Sequence, residues 1–375
     1  MKKTIAFVSN NAWSVYNYRL PVLRHLMQQG HQVLVFAPDD AFSAKLQSEG
    51  CRFIPLVFTN KSENPFQDIR LFRQLRSLYR HWKPDFIFHF VVKPNIYGSL
   101  AAATLGIPSV AVVTGLGYAF ARKNWLYWIV RYLYQYALRK VKEVWFLNNE
   151  DARVFIDQHI VAIQKVRVLP GEGVDTTYFK RQSPAHDRSG EPFLFLMSAR
   201  LLKSKGIGLY ADAIRLLQKK KVNARFQLMG FFENEHPDAI SEAELNKWQE
   251  EGLLDYKGYQ QDVRPCLEQA DCFVFPSYYH EGMPRCLMEA ASMELPIITS
   301  NNKGCKELVR HQYNGLLCHL HDPFDLAEQM MQMMRLSFAE RQAMGRRGRE
   351  WMVEKFDIRQ VIQEYDALLR LAFLA

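Results

Sequence analysis

Residues 272–291 read Cys272-Phe273-Val274-Phe275-Pro276-Ser277-Tyr278-Tyr279-His280-Glu281-Gly282-Met283-Pro284-Arg285-Cys286-Leu287-Met288-Glu289-Ala290-Ala291. The apolar run Cys272–Phe275 predicts a buried strand, and a helical pattern follows from Arg285 to Met293. Glu281 then lies in the strand-to-helix loop, with Gly282 beside it to let backbone approach a ligand. Glu289 falls about two turns further on, on roughly the same side, because eight residues span just over two turns. Backbone N–H groups at the helix start point into the loop. Two carboxylate acceptors flanking a cluster of donors suit a polyhydroxylated, anionic ligand such as a nucleotide sugar.

The same strand–loop–helix grammar runs outward in both directions. Ile5–Val8, Val33–Phe36, Phe86–Phe88, Val110–Val113 and Val144–Leu147 read as strands in the first half. Helical patterns at about Tyr16–Gln29, Phe66–Trp82 and Gly98–Leu105 separate them. The second half repeats the theme with Phe193–Met197, Phe226–Met229, Cys272–Phe275 and Ile297–Thr299. Continuous apolar strands alternating with helices argue for parallel sheets covered on both faces. A Gly/Pro-rich turn at Leu169–Asp175 and the polar stretch Lys180–Pro192 mark a linker. The expected architecture is α/β, two doubly wound domains facing a central cleft: 1–170, 171–350, and a helix at 351–375 packing back on the first. Ligands of such sheets bind at the carboxyl ends of the strands.

At 375 residues the chain has room for two cores. Its net charge is +9, unevenly placed: residues 1–170 carry 22 Lys+Arg against 10 Asp+Glu, and the rest 26 against 29. An anionic surface or substrate is expected to face the N-terminal half, either nucleic acid or a membrane carrying a phosphorylated lipid. Six scattered cysteines show no C-x-x-C spacing and read as reduced, packed thiols. The start, Met1–Val8, reads as a first buried strand rather than a leader. No stretch reaches the length of a membrane-crossing helix.

Further candidates fall at strand ends. In Ser198–Gly206, Arg200 and Lys205 can converge on one anion if the loop turns between them. The alternative is a solvated basic loop. In the first half, Asn10–Ser14 lies between the first strand and helix, and Arg19 is either a candidate for acceptor phosphate or a surface arginine. Lys93 and Asn95 are placed for the cleft, and Thr114–Gly117 also ends a strand. His89 reads as a packed strand residue.

The order Ala199-Arg200-Leu201…Lys205-Gly206, then Glu281-Gly282-Met283-Pro284…Glu289-Ala290, resembles the family 4 glycosyltransferases of GT-B fold. Gly173–Phe179, Gly304…Glu307 and Asn314-Gly315 match too, so the likeness covers most of the chain. It implies two Rossmann-like domains, the first for an acceptor and the second for a nucleotide sugar. It implies that Arg200 and Lys205 bind the donor diphosphate and that Glu289 accepts from the ribose hydroxyls. Glu281 would sit near the sugar, with Gly282, Met283 and Pro284 lining the pocket through backbone. Tyr259, in Lys257-Gly258-Tyr259, would lie near the base. Catalytic roles fall to Glu281, Lys205 and Arg200. Acceptor contacts fall to Asn11, Arg19, Lys93 and Asn95. Retention of configuration and no metal are implied. Asn10–Ser14 departs from the Gly-Gly loop of related enzymes. The histidine that many relatives carry near the sugar is replaced here by Val91, Val92 and Lys93.

Residues 120–145 mix Trp125, Tyr127, Trp128, Tyr132, Tyr134 and Tyr136 with six basic residues, and no acid appears before Glu143. Such a helix suits an anionic membrane surface. The alternative is an aromatic face packed on the sheet. Lys93-Pro94-Asn95-Ile96-Tyr97-Gly98 and Thr114–Tyr118 resemble the polyprenyl-diphosphate-sugar transferases of bacterial surface-glycan synthesis. These often use UDP-N-acetylhexosamines (GalNAc or GlcNAc) and would work at the cytoplasmic face of the inner membrane. A nucleotide-sugar epimerase and a basic nucleic-acid-binding protein are the rival readings.

Overall fold

The computed structural model describes the chain apart from residues 1, 59–64, 117–119, 121–124, 185, 189, 234–235, 280 and 375. It divides into two compact units, Met1–Glu172 with Ile358–Ala375, and Gly173–Asp357.

In the first unit the strands are β1 (Thr4–Val8), β2 (Gln32–Ala37), β3 (Arg52–Pro55), β4 (Phe86–Phe90), β5 (Ser109–Val113), β6 (Glu143–Phe146) and β7 (Val166–Val168). They form one sheet in the order β3-β2-β1-β4-β5-β6-β7. All neighbours are parallel. The order reverses between β1 and β4, so the loops after these two strands part and leave room at the carboxyl edge. The helices are α1 (Ala12–Gln28), α2 (Ser43–Ser48), α3 (Pro65–Trp82), α4 (Ser99–Thr104), α5 (Trp125–Leu138) and α6 (Asn149–Asp157). A π-helical turn, Pro94–Gly98, precedes α4. The helix expected from Gly98 therefore starts one turn earlier and with wider winding. α1 also starts earlier than Tyr16, because Asn11 caps it: its side chain accepts from the Ser14 N–H at 2.7 Å. This cap satisfies an N–H that the first turn leaves open.

In the second unit β8 (Phe193–Ser198), β9 (Ala224–Met229), β10 (Asp255–Tyr256), β11 (Cys272–Phe275), β12 (Ile297–Ser300) and β13 (Gly315–Cys318) form a parallel sheet in the order β10-β9-β8-β11-β12-β13. Its helices are α7 (Ile207–Lys219), α8 (Glu242–Glu250), α9 (Arg264–Gln269), α10 (Arg285–Ser292), α11 (Cys305–Leu308), α12 (Pro323–Arg335) and α13 (Phe338–Lys355). Here the order reverses between β8 and β11. The short strands β3, β7 and β10 were not legible as apolar runs. β3, β7 and β10 form sheet edges and are half exposed or polar, so their patterns are weak.

The helix expected to start near residue 351 is two helices. α13 ends at Lys355, and α14 (Ile358–Leu374) begins after Asp357. Asp357 is buried, accepts from the Thr176 hydroxyl, and pairs through backbone with Val174. Those bonds hold it out of helical geometry, so Trp351 stays with the second unit and packs under Arg310. α14 packs into the core of the first unit. Tyr365 lies 4.7 Å from Phe88 and 4.9 Å from Trp145, ring centre to ring centre.

His89 is fully buried on β4. Its Nε2 lies 3.0 Å from the Tyr79 hydroxyl and its Nδ1 3.3 Å from Ser99 Oγ. Gly98 makes this possible, since a Cβ there would stand 2.4 Å from the imidazole. Burial pushes the imidazole pKa down to about 3. The folded protein holds His89 neutral, whereas the unfolded chain protonates it below about pH 6.5. The stability so gained is present above pH 6.5 and declines as pH falls from there towards about 3. Urea unfolding between pH 7 and 4 should show this loss in the wild type. A His89→Gln variant should be less stable at pH 7 and should lose less on acidification; equal slopes would contradict the assignment.

Candidate active site

The second unit gathers its candidate residues at the carboxyl edge of β8 and β11, where its strand order reverses. After β8 the chain makes a short 3-10 turn, Lys203–Lys205, and passes into α7 through Gly206. Gly206 adopts φ +82°, and a Cβ there would stand 2.1 Å from the Pro276 carbonyl oxygen. Glycine thus lets the β8 loop lie directly on the β11 loop. The Ser204 carbonyl then accepts from the N–H groups of Tyr278 and Tyr279 at 3.0 and 3.1 Å.

These contacts place Lys205 against Glu281. The ammonium donates to Glu281 Oε1 at 2.5 Å, and Ser277 Oγ donates to the same oxygen at 2.8 Å. Both members of the pair are about nine-tenths buried. The ammonium also lies 4.8 Å from the Tyr279 ring centre, a favourable cation–π distance. The β12 end supports the loop from below. Asn302 Nδ2 donates to the Tyr279 carbonyl at 2.5 Å, and Gly304 lies so close that a Cβ there would meet the Gly282 carbonyl oxygen at 2.6 Å.

α10 opens at Arg285 with Pro284 as its N-cap. Glu289 therefore stands one turn inside the helix rather than two, and Glu281 precedes it. Arg285 Nε donates to Glu289 Oε1 at 2.8 Å. Burial pushes the Glu289 carboxyl pKa up, and the Arg285 charge opposes that. Between the two carboxylates lies Cys286. Burial, then Glu281 and Glu289, push its thiol pKa well up, while Lys205 pulls it down. The contacts that define the site are thus two separate pairs, Lys205 with Glu281 and Arg285 with Glu289, whose carboxylates lie on the same strand-to-helix segment. Met283 packs against the hydrophobic core of the unit, leaving its backbone to the loop.

Arg200 is directed elsewhere. Its Nη1 donates to Glu233 Oε2 at 2.7 Å, beyond the end of β9. The convergence expected of Arg200 and Lys205 is therefore divided: the loop carries one towards β9 and the other towards β11. Tyr259, after β10, is half exposed and meets Phe231 edge-on at 6.0 Å. Arg200, Glu233, Phe231 and Tyr259 thus follow β8, β9 and β10, on the opposite side of β8 from Glu281. Ser277 was visible in the sequence only as part of a loop, and Asn302 and Glu233 carried no signal at all, because their roles depend on contacts between distant strand ends.

In the first unit two of the acceptor candidates, Arg19 and Asn95, are buried and already bonded. Arg19 is only 3% exposed. Its Nη1 donates to the Ser14 carbonyl at 2.9 Å, its Nη2 donates to Glu172 Oε1 at 2.5 Å, and its guanidinium lies 4.0 Å from the Phe90 ring centre. Its guanidinium is thus held in a buried ion pair. Asn95 is fully buried and donates to the Val112 carbonyl at 3.0 Å. It ties the π-turn to β5 and offers no surface to a ligand. Lys93 keeps 14% of its side chain exposed and donates to Asp68 at 2.9 Å. Thr114–Leu116 follow β5, whereas Gly117 lies outside the described residues.

The aromatic segment resolves into two faces. Tyr127, Tyr134, Ala137 and Leu138 of α5 are buried, and Trp125, Trp128, Ile129, Tyr132 and Tyr136 are exposed. The reading of an aromatic face packed on the protein core thus holds for Tyr134, and the exposed residues form the other face of the helix. Arg122 and Lys123 lie outside the described residues. Among the described residues no helix is long and apolar enough to cross a membrane.

Comparison with known proteins bears on the two units as folds. Residues 179–351 match the glycosyl transferases group 1 family, and residues 4–148 match the glycosyl transferase 4-like family. The chain is 29% identical over 343 residues to the N,N'-diacetylbacillosaminyl-diphospho-undecaprenol alpha-1,3-N-acetylgalactosaminyltransferase of Campylobacter jejuni, covering 87% of this chain and 88% of that one. It is 27% identical to the UDP-Gal:alpha-D-GlcNAc-diphosphoundecaprenol alpha-1,3-galactosyltransferase of Escherichia coli, covering 76% and 73%. Among solved structures, a Rickettsia africae glycosyltransferase superposes with a TM-score of 0.81 at 17% identity, covering 99% of each chain. Anabaena Alr3699/HepE in complex with UDP gives 0.79 at 18%, covering 99% and 100%. With two matched families spanning both sheets and the charged motif at the β8–β11 edge, the chain belongs to the family 4 glycosyltransferases of GT-B fold.

Proposed function

We propose that the protein is a retaining glycosyltransferase that moves a hexose or N-acetylhexosamine (GalNAc or GlcNAc) from a UDP-sugar to a saccharide carried on a polyprenyl diphosphate. The observation that carries this reading is the Lys205–Glu281 pair at the edge where the strand order reverses, followed by the helix that bears Glu289. The names of the two relatives support the acceptor class, since both contain a diphospho-undecaprenol-type lipid, and both specify α linkages. UDP-Gal in one name and UDP in a structural neighbour support the donor class.

The chemistry follows from charge. The bond between the anomeric carbon and the diphosphate oxygen breaks and UDP leaves carrying the electron pair, while an acceptor hydroxyl oxygen bonds to that carbon and its proton passes to the departing diphosphate. A fixed cation where that charge develops lowers the barrier. Lys205 fills this role at the diphosphate; Arg200, held on Glu233 on the other side of β8, would have to leave that pair to add a second cation. No divalent ion is needed in this scheme. Glu289 accepts from the ribose hydroxyls, Glu281 stands near the sugar, and the Gly282–Pro284 backbone lines the pocket. Tyr259 lies beside the base. On the acceptor side Lys93 and the Asn11 loop remain candidates. The exposed aromatic face of α5 suits a membrane surface, with the enzyme peripheral on the cytoplasmic face.

A thermal-shift screen across nucleotides and nucleotide sugars tests the donor reading. UDP at about a hundredfold over its Kd should stabilise the fold by about 2.7 kcal/mol, with ADP and GDP giving far less. No shift with any uridine nucleotide would overturn it. Incubating the donor alone separates the rival enzyme class: isomerised sugar nucleotide without acceptor would indicate an epimerase.

A further inference from the structure

One face of α3 carries a single kind of charge. Arg70, Arg73, Arg76 and Arg80 recur at intervals of three and four residues, so they lie on one side of the helix, and all four are exposed. Phe66, 81% exposed, and Ile69, 49% exposed, open the same side at the start of the helix. The opposite side, Leu71, Leu75 and Tyr79, is buried against the sheet. The helix has one carboxylate, Asp68, and it is engaged by Lys93 at 2.9 Å and the Tyr97 hydroxyl at 2.7 Å. Among the described residues none of the four guanidinium groups meets a carboxylate. Like charges repeated along a helix destabilise it slightly, so the fold itself gives no reason for the ladder.

The setting of α3 supplies a reason. α3 and α5 both pack against the Pro94–Thr104 segment on the same face of the sheet. Each follows a parallel strand, so each begins at the carboxyl edge, and its exposed apolar start stands there: Phe66 and Ile69 on α3, Trp125, Trp128 and Ile129 on α5. The arginines continue back along α3 from that edge. Apolar side chains at an interface with cations beside them match the chemistry of an anionic bilayer. Ile69 and Ile129 add aliphatic surface, which a bilayer takes up and stacked bases do not, whereas the exposed rings suit either partner.

We infer that α3 and α5 form one docking face for an anionic phospholipid surface, with the arginine ladder supplying the electrostatic hold and the exposed rings the interfacial anchor. The inference rests on the lipid-linked acceptor reading only in taking a bilayer as the partner. Cosedimentation of the full chain with vesicles tests it, using phosphatidylcholine alone against equal parts phosphatidylglycerol and phosphatidylcholine. The wild type should bind the anionic vesicles, and binding should fall steeply with added salt. Changing all four arginines to Gln, which keeps helix propensity, should weaken partition by about a hundredfold or more, at roughly one surface cation's contribution each. Should that variant unfold by circular dichroism, Arg73→Gln with Arg76→Gln should still weaken it by about tenfold. Unchanged partition of a folded variant, or tighter salt-sensitive binding to duplex DNA or RNA than to vesicles, would overturn the inference. The assay needs no sugar transfer, so the two readings fail separately. A protein that transfers sugar to a detergent-solubilised acceptor yet ignores anionic vesicles refutes the docking face alone. One that binds vesicles through α3 but has no uridine-nucleotide affinity refutes the donor reading alone.

Discussion

Lys205→Ala should lower kcat by on the order of 10²–10³, the usual loss when one fixed charge-stabilising group is removed from a reacting centre. It should also destabilise the protein, because Glu281 would remain about nine-tenths buried without its cation. Breaking one side of such a pair costs about 3–5 kcal/mol. Ser277 still donates to Glu281 and offsets part of that. The two losses can be separated. Lys205→Ala combined with Glu281→Gln removes the stranded charge and should recover most of the melting temperature, yet turnover should stay low. Steady-state kinetics beside a melting curve on both variants decides the matter. Restored turnover in the double variant would make Lys205 a structural residue, and near-wild-type turnover in the single variant would remove it from the mechanism.

Glu289→Gln should move binding and stability in opposite directions. Hydrogen bonds to a charged group contribute about 1.5–3 kcal/mol, so losing the carboxylate should weaken UDP binding by roughly 10- to 100-fold. The apo protein should not lose stability at pH 7. Burial holds the Glu289 pKa above its ordinary value, so the folded state disfavours the ionised form. A carboxyl with a raised folded pKa contributes stability at low pH and loses it as pH rises through that pKa. Gln removes this cost at neutral pH and changes little at pH 4. Calorimetric titration with UDP and melting curves at the two pH values check the pair of effects. Unaltered UDP affinity would exclude Glu289 as the ribose acceptor. A lower apo melting temperature at pH 7 than at pH 4, relative to wild type, would contradict the burial argument.

The two variants differ because the two carboxylates are held differently. Glu281 sits under an ammonium and a hydroxyl, in a loop locked from both sides by Gly206 and Gly304. Glu289 sits on a helix beside a guanidinium from its own preceding turn. The first depends on three strand ends; the second depends on local helix geometry.

That contrast also separates what was legible in the sequence from what was not. Apolar runs such as Phe86–Phe90 and Cys272–Phe275, with helices between them, specified the parallel sheets, because a strand buried on both faces has no polar side to show. The Glu281…Glu289 spacing specified a loop and a helix turn carrying two carboxylates, since both are short-range geometry. The partners of charged side chains were not legible. Nothing local distinguishes Arg19, closed on Glu172 153 residues away, from Arg70, open to solvent on α3. Arg200 and Lys205 lie five residues apart, yet they face different neighbours because β9 and β11 flank β8 on opposite sides. Residue spacing along the chain governs backbone periodicity, and the sequence alone determined the central buried strands, most of the helices between them and the family motif. Which cation meets which carboxylate depends on strand order and on close backbone approach at glycines, and only the tertiary structure decided that.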